Sequence, residues 1–126
     1  MFRRIAAVVA LVCVGAVLPA GSAAADQRGD CRATASVPTY SGGQIYAKAS
    51  VTCKNRHANL VVRAWVVRDG SLQGVGTDKT CPNSKTCEVT ATKPNMKGDQ
   101  EWCTIARAFN FGSGYARDEK CEHWDF

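Results

Sequence analysis

Six cysteines between residues 31 and 121 (Cys31, Cys53, Cys81, Cys87, Cys103 and Cys121) constrain this chain more than any other feature, because four of them coincide with hairpin registers. The segment CRATASVPTYSGGQIYAKASVTC, from Cys31 to Cys53, reads as two strands around Ser41-Gly42-Gly43. Folding it about Gly42 sets Ala33 opposite Val51, Ala35 opposite Ala49 and Val37 opposite Ala47, all small and apolar. The alternate positions pair Arg32 with Thr52, Thr34 with Ser50 and Ser36 with Lys48. Such alternation belongs to a hairpin with one buried face, and it brings Cys31 directly across from Cys53.

The segment WCTIARAFNFGSGYARDEKCE, from Trp102 to Glu122, folds about Gly112 in the same way, with Cys103 opposite Cys121 and Phe109 facing Tyr115. Directly opposed Cβ atoms lie about 4.5–5.5 Å apart and a disulfide needs about 3.5–4.5 Å, so a small adjustment closes either bond. Cys81 and Cys87 remain as the third pair. Their spacing is neither that of a zinc pair nor the C-x-x-C of a redox site. Pro82, Asn83 and Ser84 are turn formers, so the expectation here is a stapled turn leading into a strand from Thr86 to Thr92.

Disulfides need an oxidising compartment, and the N-terminal residues point to the same place. Arg3 and Arg4 precede an uncharged run from Ile5 to Leu18, then Pro19 and the small-residue stretch AGSAAA. This is the pattern of a cleaved export signal, and the run is shorter than the roughly 20 residues of a membrane span. Val12 before Cys13 does not fit a lipoprotein signal. The expected division is a secretory signal peptide at 1–25 and a single disulfide-stapled domain at 26–126, secreted and without a membrane anchor after cleavage. Cys13 leaves with the signal, whose Ala- and Val-rich composition suggests a bacterial source.

Along the remainder, LVVRAWVV (Leu60–Val67) is short, β-branched and bounded by turn residues, as a buried central strand would be. KNRHAN before it reads as a polar connection, and Leu72 to Gly76 as a weak strand. The fold class expected is all-β, a small antiparallel β-sandwich of about seven strands with three disulfides. The order Cys53, Trp65, then Cys103 in a Trp-Cys-x-x-Ala context resembles immunoglobulin-like domains. That resemblance implies a fold and no function. It would also imply a Cys53–Cys103 bond and a core position for Trp65, whereas the two hairpin registers favour the local pairs.

Formal net charge is +5, of which Arg3 and Arg4 supply two, and the basic residues are dispersed along the chain. This is not the clustered stripe of a nucleic-acid-binding protein, and nucleic acid is not an expected partner. His57 and His123 stand apart, and G-x-S-x-G, H-E-x-x-H and Asp-rich calcium loops are missing from the sequence. The reading is therefore a non-catalytic binding protein without cofactor or metal, directed at an extracellular protein or a cell-envelope polymer. Its oligomeric state is not set by these features.

With Leu60, Val62, Ala64 and Val66 facing inward, Arg63 and Trp65 point outward, and Arg107, Phe109, Tyr115 and Arg117 share one face of the last hairpin. These six residues are the candidate binding surface, since Trp, Tyr and Arg anchor interfaces. The alternative is a small extracellular protease inhibitor whose Cys81–Cys87 loop offers Lys85-Thr86 as bait. Arg28-Gly29-Asp30 spells an adhesive tripeptide, but three common residues also recur by chance in a solvated tail. Intact mass spectrometry of the secreted protein should give residues 26–126 less one hydrogen per cysteine. A mass that retains Cys13, or alkylation without reduction, would overturn the assignment of compartment.

Overall fold

One strand of 25 residues, β4 (Gln44–Arg68), organises the molecule. The computed structural model describes residues 27–112 and 114–126; the expected signal peptide and the cut before Asp26 lie outside them. Strand β6 (Thr77–Pro94) runs antiparallel along one side of β4, from Ala64 opposite Thr77 to Gln44 opposite Pro94. On the other side, the first half of β4 pairs with β2 (Cys31–Ala35) and β3 (Thr39–Ser41), and the second half with β7 (Asp99–Phe109). Strand β8 (Ala116–Asp125) continues the sheet beyond β7. Two short strands complete it: β1 (Gln27–Arg28) on β2, and β5 (Ser71–Leu72) on the end of β4. All pairings are antiparallel, and no helix occurs among the described residues.

The β4–β6 ribbon bends where its register shifts, between Thr52 and His57. KNRHAN is thus the bent middle of a strand and not a connection between two. Across from it, the Cα atoms of Cys81 and Cys87 are 5.7 Å apart, whereas six residues of straight strand would span roughly 20 Å. The chain therefore turns sharply there, and the Cys81–Cys87 bond holds the turn. Asn83 adopts a positive φ of 45°, and the Arg56 guanidinium donates to its carbonyl at 3.0 Å. Asp30 secures the other side of the bend, accepting from the Asn55 backbone N–H at 2.9 Å and lying 3.0 Å from His57 Nε2.

Folding the ribbon back on itself encloses one core. Its inward positions carry small residues: Ala33, Ala35, Ala47, Ala49, Ala64, Ala91, Ala106, Ala108 and Ala116, filled in by Ile45, Val51, Leu60, Val62, Val66 and Trp102. Closure comes from two β8 side chains. The Ala35 N–H donates to Asp118 Oδ2 at 2.8 Å, and the Ala35 carbonyl accepts from Lys120 Nζ at 2.7 Å. Lys120 also reaches Asp118 Oδ2 at 2.7 Å, so the fully buried carboxylate is paired. These side chains satisfy an edge that would otherwise leave backbone groups unpaired inside the protein. The result is one antiparallel sheet, bent and nearly closed into a barrel-like shape.

Both hairpin registers appear as expected from Cys31↔Cys53 to Ala35↔Ala49 and from Cys103↔Cys121 to Ala108↔Ala116. The bonds are Cys31–Cys53, Cys81–Cys87 and Cys103–Cys121, and the immunoglobulin-type Cys53–Cys103 bond is not formed. Because β4 and β6 run through both halves, the strands make one bent sheet of eight strands and not two sheets totalling about seven. The strand expected from Thr86 is the second half of β6, and Leu72–Gly76 contributes only Leu72 to a strand. Val37 does not face Ala47. Pro38 has no N–H for the ladder, so the chain leaves the register there. Pro38 is buried in place of Val37, which is 43% exposed, and pairing resumes one residue later with Thr39 opposite Tyr46.

Asp118→Ala should lower unfolding free energy by about 2 kcal/mol, the scale of hydrogen bonds to a charged group, as read by urea denaturation. No change in the midpoint would mean that the sheet does not depend on this closure.

Candidate functional site: a basic and aromatic sheet face

Strand parity sorts the second half of the sheet by size. Ala64 on β4, Ala106 and Ala108 on β7 and Ala116 on β8 point inward and are fully buried. The residues between them, Arg63, Trp65, Arg107, Phe109, Tyr115 and Arg117, stand together on the outward face, half-buried except for the more exposed Tyr115. Trp65 is therefore not a core residue, and the tryptophan that fills the interior is Trp102, whose indole N–H donates to Gln100 Oε1 at 3.0 Å.

Arg63 lies directly opposite Arg107, and Arg107 directly opposite Arg117, so three arginines form one row across β4, β7 and β8. Like charges in directly opposed positions repel. Here two of the three lie against aromatic rings. The Arg63 guanidinium lies 5.2 Å from the Trp65 ring and 5.6 Å from Phe109, and that of Arg107 lies 5.0 Å from Trp65 and 5.1 Å from Tyr115. Each is within the range of cation–π attraction. Phe109 and Tyr115 are in contact, with ring centres 6.1 Å apart.

The outer two arginines are neutralised. Arg63 forms a two-point pair with Asp78 on β6, its Nη2 donating to Oδ2 at 2.6 Å. The hydrogen bond from Arg63 holds the Asp78 carboxyl below its ordinary pKa against the opposing effect of burial, and the same bond pushes the Arg63 guanidinium up. Arg117 donates to Glu119 at 2.7 Å. Arg107 has no carboxylate partner among the described residues, and its Nε is buried without an acceptor.

A hollow of about 300 Å³ opens beside Arg107. Trp65, Val67 and Ile105 line it from the sheet, Gly70 and Leu72 from the hairpin that follows β4, and Arg117 and Glu119 from β8. The loop from that hairpin returns across the face at Gly76, where an added Cβ would lie 2.7 Å from the Arg63 side chain and 2.9 Å from the Trp65 ring. Only glycine fits such an approach. The alternation pattern groups the six side chains but does not include Asp78, Leu72 and Gly76, which arrive by the long β4–β6 pairing and by curling of the hairpin, or Glu119, which follows Arg117 by two on β8. The Asp69-Gly70 turn was the only signal of that curl.

Lys85 and Thr86 are exposed at the bend of β6, far along the strand from this face. Thr86 is paired with Thr52 and Cys87 with Val51, so the loop lies against β4. In Arg28-Gly29-Asp30, burial works against ionisation of Asp30, but the Asn55 N–H and His57 outweigh it and hold the carboxyl below its ordinary pKa. A carboxylate already committed in this way is poorly placed for adhesion. Two groupings of metal-ligand type, Cys31/Cys53/His57 and Glu101/Cys103/Cys121, each contain a disulfide whose sulfurs are not thiolates. Compared with protein-family models, curated proteins and solved structures, the chain matches none.

The depressed Asp78 carboxyl means that the Arg63 pair is intact above the ordinary carboxyl pKa of about 4 and is lost as pH falls further, through the lowered folded value. Trp65, stacked on Arg63, should report this as a reversible fluorescence step on acidification, and Asp78→Asn should abolish the step. An identical step in Asp78→Asn would assign it to another group.

Proposed function

We propose that this protein is a secreted, non-catalytic binding protein whose working surface is the outward face built by Arg63, Trp65, Arg107, Phe109, Tyr115 and Arg117. One observation carries the reading: a row of three arginines set among three aromatic rings lies outside a sheet whose inside is rich in alanine. Like-charge rows cost stability, and aromatic bulk placed outward contributes less to the core than it would inward. Both become useful when a partner supplies negative charge and covers the rings. The partner is an acidic extracellular one, either a protein with exposed carboxylates or an anionic cell-envelope polymer. Ring contact supplies affinity, and the arginines steer encounter and make it salt-sensitive. The immunoglobulin-like reading is retained only as an architectural analogy, supported by the facing of the two halves of β4 across one core.

The inhibitor reading, with Lys85-Thr86 as the bait bond, rests on an exposed lysine in a disulfide-closed loop. It is the weaker of the two, because pairing of Thr86 with Thr52 holds that backbone against the sheet.

The test is retention of the pure protein on the producer's cell envelopes and on proteins of its culture medium, across a salt gradient. Arg107→Ala and Tyr115→Ala should each reduce retention about tenfold, the scale of a loss of about 1.4 kcal/mol, with melting curves nearly unchanged. Unchanged retention in both variants would remove the face from consideration.

A further inference from the structure

We infer that the hollow beside Arg107 is a subsite for a single carboxylate carried on a compact apolar or aromatic body. The inference rests on the binding-face reading and specifies the chemistry that the face selects. The charge comes from the arginine row. Arg63 and Arg117 are each satisfied by a carboxylate of the protein itself, while Arg107, between them, has none among the described residues. Its guanidinium lies 5.0 Å from the centre of the Trp65 ring and 5.1 Å from that of Tyr115, which restricts its motion and reduces the ordering cost of binding a planar anion. A carboxylate matches the two-donor edge of a guanidinium.

The remaining lining gives the body of the ligand. Val67, Ile105, Leu72 and the Trp65 ring offer an apolar wall, and Leu72 is 59% exposed. A volume of about 300 Å³ is at the small end for ligand sites, enough for one side-chain-sized group and its acid. Glu119 sets the charge limit. It lines the same hollow, paired to Arg117, so Arg107 is left as the cation there without a carboxylate among the described residues, and the second charge of a phosphate monoester finds no free counter-ion.

The probes are N-acetyl-L-phenylalanine, its amide N-acetyl-L-phenylalaninamide, and phenyl phosphate, titrated into the intact disulfide-bonded protein by heteronuclear NMR. The acid should shift the resonances of Trp65, Ile105 and Arg107 with a Kd on the order of 1 mM, as expected for a ligand of this size. The amide and phenyl phosphate should each bind about tenfold more weakly. Arg107→Gln should erase the preference for acid over amide, Arg107→Lys should keep part of it, and Glu119→Gln should admit phenyl phosphate. Equal binding of acid and amide, tighter binding of phenyl phosphate, or no shift with the acid would each overturn the subsite. If the acid fails while envelope or protein retention still depends on Arg107 and Tyr115, the subsite falls and the face stands. If the acid binds but retention ignores those residues, the converse holds.

Discussion

Alanine at the inward positions of five strands is the constraint from which the rest of this structure follows. Side chains that small let the two halves of a bent ribbon approach closely, and the larger residues that fill the remaining space are Trp102, Phe111 and a few aliphatics. They also contribute little burial, since each methylene removed from water is worth only about 0.8 kcal/mol. A thin core in a small domain needs other restraints. Here the Cys31–Cys53 and Cys103–Cys121 bonds tie the two hairpins, Cys81–Cys87 holds the bend, and the Asp118–Lys120 pair joins β8 to the free edge of β2.

The same constraint determines where bulk and charge are displayed. Along β7, Ala106 and Ala108 alternate with Arg107 and Phe109, so the alternation that puts these small residues inside puts these large ones outside. The outward row gathers cations that, among the described residues, are neutralised at its ends, through Asp78 and Glu119. Cation–π contacts make the arrangement tolerable in the free protein, and Arg107, which has no carboxylate partner among the described residues, is where the proposed anionic partner would bind. Fold and proposed function thus draw on one alternation pattern, with opposite faces serving each.

Much of this was legible in the sequence because antiparallel pairing is local arithmetic. Once Gly42 and Gly112 are taken as turn centres, the Cys31–Cys53 and Cys103–Cys121 pairs and the inward alanines of both hairpins follow by counting in twos, whereas the facing of Trp65, on neither hairpin, stayed open between outside and core. The features that were not legible are long-range or depend on backbone detail. KNRHAN is polar because it lies on the outside of a bend, and polarity alone does not distinguish a bent strand from a loop. Pro38 displaced Val37 from the core through a missing N–H, an effect that hydrophobic patterning does not register. Asp118 and Lys120 look like ordinary surface charges until the edge of β2 arrives beside them, and Asp78 joins Arg63 only because β6 follows β4 along its whole length.

The central claim, that small residues inside maintain the fold while large ones outside do not, is tested most directly on two neighbours of one strand. Unfolding free energies of Ala108→Leu and Phe109→Ala should be measured side by side under non-reducing conditions. Overfilling the alanine interior with Ala108→Leu should cost about 1–3 kcal/mol or more, and Phe109→Ala should cost less than about 1 kcal/mol. The reverse order, with Phe109→Ala costing the roughly 3–5 kcal/mol of a core aromatic and Ala108→Leu tolerated, would contradict the account.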